Sequence, residues 1–155
     1  MFKRRALPSS RLYNQNTFWR SFIKDISCAQ KQVIIESPFI TTRRTDELLS
    51  IFAKLRQRGV HIVINTRNPL DHEAAYQVQA EEAVAQWQEL GITILYTVGH
   101  HRKLAIIDAE IIWEGSLNIL SFSNSCEIMR RITSCEEAHL LIDFIKLDKY
   151  RGVTL

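Results

Sequence analysis

His101, Lys103, Ser116 and Asn118 are polar side chains set into a segment that is otherwise largely apolar, His100-His101-Arg102-Lys103-Leu104-Ala105-Ile106-Ile107-Asp108 followed by Gly115-Ser116-Leu117-Asn118. Together these types suit cleavage of a phosphodiester. An unperturbed imidazole, with a pKa of about 6.5, is mostly neutral at pH 7 and can attack phosphorus. An ammonium, a hydroxyl and a carboxamide can hold the non-bridging oxygens on which charge grows during attack. An incidental polar hairpin is the bland alternative, and it leaves unexplained why these residues interrupt an apolar run.

Lys103 to Asp108 is apolar enough to be a buried strand, and Ile111 to Trp113 reads as its return partner. Side chains alternate faces along a strand, so His101 and Lys103 share one face, and Ser116 and Asn118 share one face of the partner. A two-residue turn at Ala109 and Glu110 sets Asp108 opposite Ile111, Lys103 opposite Ser116 and His101 opposite Asn118. A slip of one residue would send the second pair to the other face. The same count puts Asp108 on the face opposite His101, which leaves it a supporting role, bonding backbone groups at the turn. His100 competes with a second histidine as the general acid, but as a strand neighbour of His101 it points to the opposite face.

His101-x-Lys103 with Asp108 and then Gly115-Ser116-x-Asn118 resembles the HKD signature of the phospholipase D superfamily, and Val33-Ile34-Ile35-Glu36-Ser37-Pro38-Phe39-Ile40 resembles the first strand and loop of its nuclease-like members. The resemblance runs from about Trp19 to Phe144. It implies an α/β fold, an αβα sandwich with a central mixed β-sheet and one motif copy per chain. It also implies that His101 is the nucleophile and forms a phosphohistidine, that Glu127 orients it, and that no metal or other cofactor is required. A second histidine must protonate the leaving group. With one motif copy, the resemblance implies a two-fold homodimer whose two His101 residues face each other.

The elements that must position these residues read in order. Residues 1–16 form an N-terminal arm, with Lys3-Arg4-Arg5 at its start, and 17–155 form the nuclease-like domain. A helix capped by Asn16 or Thr17 runs to about Ala29, with Phe18, Phe22, Ile23 and Ile26 inward. Val33 to Ile35 is a strand, Thr41-Thr42-Arg43-Arg44 a polar loop, Thr45 to Arg58 a helix, and His61 to Asn65 a strand leaving through Thr66-Arg67-Asn68-Pro69. Loops at the carboxyl ends of strands gather ligands in α/β sheets, which makes Arg43, Arg44 and Arg67 candidates for a substrate-binding rim. Asp71 can cap a helix to Leu90, with Ala75, Val78, Ala83 and Trp87 inward; Ile92 to Tyr96 is a strand, and Gly99 lets the chain turn before the histidines. Glu127 to Arg131 reads as a strand, and Glu136 to Leu147 as a last helix with Leu140, Leu141, Phe144 and Ile145 inward.

A length of 155 residues suits one such domain, and the net charge of +3 permits a nucleic-acid partner without requiring one. Cys28, Cys126 and Cys135 make an odd set without a Cys-x-x-Cys pair, which suggests neither a disulfide framework nor a zinc site and fits a reducing, cytoplasmic setting. No apolar run reaches the roughly 18 residues needed to cross a bilayer. His61, His72 and His139 lack metal-ligand spacing. The expected function is a metal-independent endonuclease acting on DNA, or RNA, rather than on membranes. The alternatives are a phospholipase or phosphatidyl transferase, and a non-catalytic nucleic-acid-binding domain of a larger helicase or restriction assembly.

Overall fold

Runs of Val and Ile at Gln32–Glu36 (β2), His61–Thr66 (β3), Leu104–Ile107 (β5) and Ile111–Gly115 (β6) form the middle of a mixed sheet in the computed structural model, which describes residues 8–147. Ser9–Asn14 (β1), Thr93–Tyr96 (β4) and Ile128–Thr133 (β7) complete its order, β1-β7-β6-β5-β2-β3-β4. β2, β3 and β4 are parallel, joined by the helices Thr42–Gln57 (α2) and Ala74–Glu89 (α3). The other neighbours are antiparallel.

Alternation along the strands splits the core in two. Val33, Ile35, Ile62, Ile64, Ala105 and Trp113 face α2, α3 and the helix Phe18–Ser27 (α1), and Ile34, Leu104, Ile106 and Ile112 face the helix Cys135–Ile145 (α4). This is an αβα sandwich. Around Trp113, Tyr13 lies at a ring-centroid distance of 4.8 Å and Phe18 at 5.2 Å, which ties β1 and α1 to β6.

Four sequence expectations are corrected. Within the expected arm 1–16, Ser9–Asn14 is an edge strand paired with β7; the start of the arm, with Lys3-Arg4-Arg5, lies outside the described residues. Most of β1 is exposed, so it carries no apolar alternation to announce it. The expected polar loop at Thr41 to Arg44 is instead largely the first turn of α2. Gln79, from a different helix, accepts hydrogen bonds from the Thr42 N–H and hydroxyl at 3.0 Å and so closes that helix end. Asp71 belongs to a short 3₁₀ turn and does not cap α3, whose inward stripe is Ala80, Ala83, Val84 and Trp87, with Val78 exposed. On α4 the inward residues are Ala138 and Ile145, with Leu141 and Ile142 partly buried, which turns Leu140 and Phe144 to the surface. That helix is apolar over much of its circumference, so spacing alone does not fix its rotation.

Candidate active site

The topology brings the singled-out residues to one edge of the sheet. The carboxyl ends of β2, β3 and β4, at Glu36, Thr66 and Tyr96, lie along it. β5 starts there, with Leu104 opposite Glu36; β6 ends there at Gly115, and β7 leaves from it at Ile128. His101, Lys103, Ser116, Asn118, Glu127 and Arg67 are therefore all at this edge. Asp108 is at the far end of β5.

The expected register is off by one. Ile107 pairs with Ile111 and Leu104 with Glu114, so the turn is the three residues 108–110 and Lys103 falls opposite Gly115, whose N–H donates to the Lys103 carbonyl at 3.3 Å. The cause is Asp108. Its carboxylate accepts the backbone N–H groups of Gln30, Lys31 and Gln32 at 2.7–2.9 Å, and Asp108 and Ala109 take left-handed backbone angles of 53° and 51°. Burial by itself would raise this carboxyl's pKa, but the three N–H donors outweigh it and hold the group below its ordinary value. The ladder between β5 and β6 stops at Gly115. The expected pairs, Lys103 with Ser116 and His101 with Asn118, therefore do not form; Ser116 turns to β7, its N–H donating to the Ile128 carbonyl at 2.9 Å. A Cβ at Gly115 would stand 2.1 Å from the Ile128 carbonyl oxygen, so only glycine fits this approach.

Ser116 and Glu127 meet directly: the Ser116 hydroxyl donates to the Glu127 carboxylate in a very short hydrogen bond, and the Ser125 hydroxyl reaches the other oxygen at 2.7 Å. The Glu127 N–H is anchored on the Gln15 side chain at 2.9 Å. The carboxylate thus engages two serines rather than the His101 ring. His101 is exposed, and its imidazole makes no hydrogen bond among the described residues. Lys103 folds its ammonium onto the His101 carbonyl at 2.8 Å. Asn118 is half-buried, and its Oδ1 has no hydrogen-bond partner among the described residues.

His100 is a different kind of histidine. It is buried, and its pKa is pushed down to about 4, first by burial and then by the charges of Arg102, Lys103, His101 and Arg67. At neutral pH it carries no charge. Gly99, at φ 65°, makes the turn that sends the chain into the two histidines.

Sequence reasoning missed the residue between His101 and Lys103. Arg102 forms a two-pronged ion pair with Glu36, at 2.5 and 2.9 Å, and Glu36 is fully buried at the end of β2. Asn65 donates to the same carboxylate at 3.1 Å and accepts from the Thr97 hydroxyl at 2.9 Å. The motif segment is thereby bolted to the ends of β2 and β3. A signal was present: a carboxylate closing a buried apolar strand requires a cation.

The three rim candidates are placed unequally. Arg44 is buried with its guanidinium 3.7 Å from the Trp19 ring, and burial lowers its pKa. Arg43 stacks on Phe122 at 3.7 Å and pairs loosely with Glu47 at 4.0 Å. Arg67 lines a cleft of about 490 Å³ at the site edge, and its Nε has no partner among the described residues. No cluster of His, Cys, Asp and Glu suited to a metal ion occurs among the described residues. No helix among them is long and apolar enough to cross a membrane.

Residues 22–147 match the family model described as cardiolipin synthase, phospholipase D-like domain. The chain belongs to the phospholipase D-like family. Among solved structures it is similar to Nuc, a phospholipase D family member from Salmonella typhimurium, at a TM-score of 0.72 and 15% identity over 89% of this chain and 91% of that one. NucT from Helicobacter pylori gives 0.70 and 18% over 89% and 93%. Phosphatidylserine synthase from Haemophilus influenzae Rd KW20 gives 0.65 and 15%, covering 97% of this chain and 40% of that one. These likenesses carry the phospholipase D-like fold, a mixed sheet between helices. No curated protein sequence matches the chain.

Proposed function

We propose that the chain is a metal-independent phosphodiesterase, an endonuclease acting on DNA, with RNA as the alternative substrate, working through a phosphohistidine on His101. The observation that carries the reading is the edge itself, where the exposed His101 imidazole, the Lys103 ammonium and a serine–glutamate pair follow the family motif at the ends of adjoining strands. Family membership supports phosphodiester chemistry, and the likeness in fold to Nuc and NucT fits the nuclease-like reading of the sequence.

In the proposed reaction a ring nitrogen of His101 attacks phosphorus and the bond to the leaving oxygen breaks, with a proton supplied by a second acid. Lys103 leaves the His101 carbonyl to hold a non-bridging oxygen, and Asn118 and Ser116 add hydrogen bonds. Water then attacks phosphorus, the phosphorus–nitrogen bond breaks, and the acid, now a base, takes the water's proton. His100 is ill suited to be that acid, because its lowered pKa leaves it without a proton to give at pH 7. The family resemblance supplies another candidate, His101 of a two-fold partner, which makes the proposed working unit a homodimer.

A phosphatidyl transferase is the second reading, favoured by the family model's description and the similarity to phosphatidylserine synthase. Incubation with plasmid, single-stranded DNA, RNA and phosphatidylcholine vesicles in excess EDTA separates the two. Nicking that survives chelation and disappears in His101→Asn is expected; choline release with intact plasmid would replace the nuclease reading, and bound but uncut nucleic acid would leave a binding domain. Light scattering tests the shared site, and a fully active monomer would refute it.

A further inference from the structure

The cleft beside Arg67 has features that phosphodiester cleavage does not use. It measures about 490 Å³, within the range of small-molecule sites, roughly 300–1,000 Å³. One wall, at Ser121 and Phe122, follows Asn118 directly, and the Ser121 N–H donates to the Asn118 carbonyl at 3.2 Å. Another is Arg67, whose charge is felt at His100. The cleft therefore adjoins the phosphate site along the same sheet edge.

Its chemistry is that of a planar, neutral, hydrogen-bonding guest. Phe39 and Tyr76 line it with 37% and 48% of their surfaces exposed, rings that the core does not consume. His72 stands edge-on to Phe39 at 5.7 Å, and the Arg67 guanidinium lies 5.8 Å from the same ring. Both ring nitrogens of His72 and the Nε of Arg67 are buried without partners among the described residues. Burial, reinforced by Arg67 and opposed by Asp71, lowers the His72 pKa, so the ring adds no charge to the cleft at pH 7.

Other guests fit less well. Asp71 and Glu73 also line the cleft and would repel a phosphate. An acyl chain would lie against Arg67, Asp71 and Glu73, three charged side chains that it cannot hydrogen-bond.

We infer that this cleft is a nucleobase pocket, in which the base next to the scissile phosphate stacks on Phe39 and offers its polar edge to the Arg67 guanidinium. The inference rests on the nucleic-acid reading above and specifies how substrate is held. It gives the enzyme a demand for an unstacked base, and so a preference for single-stranded or locally opened nucleic acid.

The test uses the full chain carrying His101→Asn, so that substrate is not consumed. Binding of a short single-stranded DNA and of a length-matched abasic oligonucleotide is measured by isothermal titration. The intact strand is expected to bind about tenfold or more tightly than the abasic one, the scale of one base–aromatic stack. Adding Phe39→Ala should erase that difference while leaving abasic binding unchanged; Tyr76→Ala, at a more exposed position, provides a second variant should the first fail to fold. Equal binding of the two oligonucleotides, or equal weakening of both by Phe39→Ala, would overturn the pocket. Hydrolysis of bis(p-nitrophenyl) phosphate, which has no base, reads the phosphodiesterase assignment separately. Turnover that requires His101, without base discrimination, would sink the pocket alone; base discrimination without turnover would sink the hydrolytic reading alone.

Discussion

At one end of β5 the Asp108 carboxylate is committed to three backbone N–H groups, and at the other the His101 imidazole makes no hydrogen bond among the described residues. The strand between them, Leu104–Ile107, is buried throughout. Asp108 belongs to the same motif as His101 and Lys103, yet every hydrogen bond of its carboxylate goes to the loop that enters β2. The strand acts as a rigid spacer. Its far end is fixed by a satisfied carboxylate, its near end by Arg102 on Glu36, and the side chains flanking Arg102 are the two proposed for the reaction. A short motif can therefore mix reacting and positioning residues, and only their partners tell them apart.

The largest expected effect is at the free end. His101→Asn should lower turnover by about 10⁴-fold or more, the scale of losing a nucleophile, and leave the melting temperature nearly unchanged because the residue is exposed. Kinetics and calorimetry on one preparation check both halves. Arg102→Met strands the buried Glu36 carboxylate and should cost about 3 kcal/mol in urea denaturation, with turnover falling as the His101 segment loosens. If stability holds, the near end is not fixed as described. Asp108→Asn should cost about 2 kcal/mol, since hydrogen bonds to a charged acceptor are lost, while kcat per folded molecule stays close to wild type. A selective loss of kcat would bring Asp108 into the chemistry.

The smallest effect is in pH, where the two ends should separate. The His100 pKa is depressed to about 4, so its contribution to stability is present above 6.5 and is lost as pH falls from there to about 4. Asp108 is also depressed, and its contribution is lost only as pH falls below about 3.8 toward its lower folded value. Urea midpoints across pH should fall in two windows; His100→Gln should flatten the first and Asp108→Asn the second.

The central strands and the helices between them were legible because Val and Ile runs and 3.6-residue spacing report burial, which dominates there. The motif residues were legible for the same reason, as polar interruptions of a buried strand. The hairpin register was not, because it depends on Asp108 meeting N–H groups from 30–32, far away in sequence. Nor was the start of α2, closed by Gln79, or β1, an exposed edge held by backbone pairing. Arg102 was not singled out, because its partner stands at the end of another strand. The cleft was invisible for a like reason: Phe39, Arg67, His72 and Phe122 come from separate segments and meet only once the sheet has formed.

The covalent intermediate gives the most direct test. A reaction with a short oligonucleotide in EDTA, quenched in alkali within its first turnover and examined by fragmentation mass spectrometry, should show a phosphoryl-linked nucleotide on His101 and none on the adjacent His100. Full turnover with His101 unmodified, or an adduct on His100, would contradict the account.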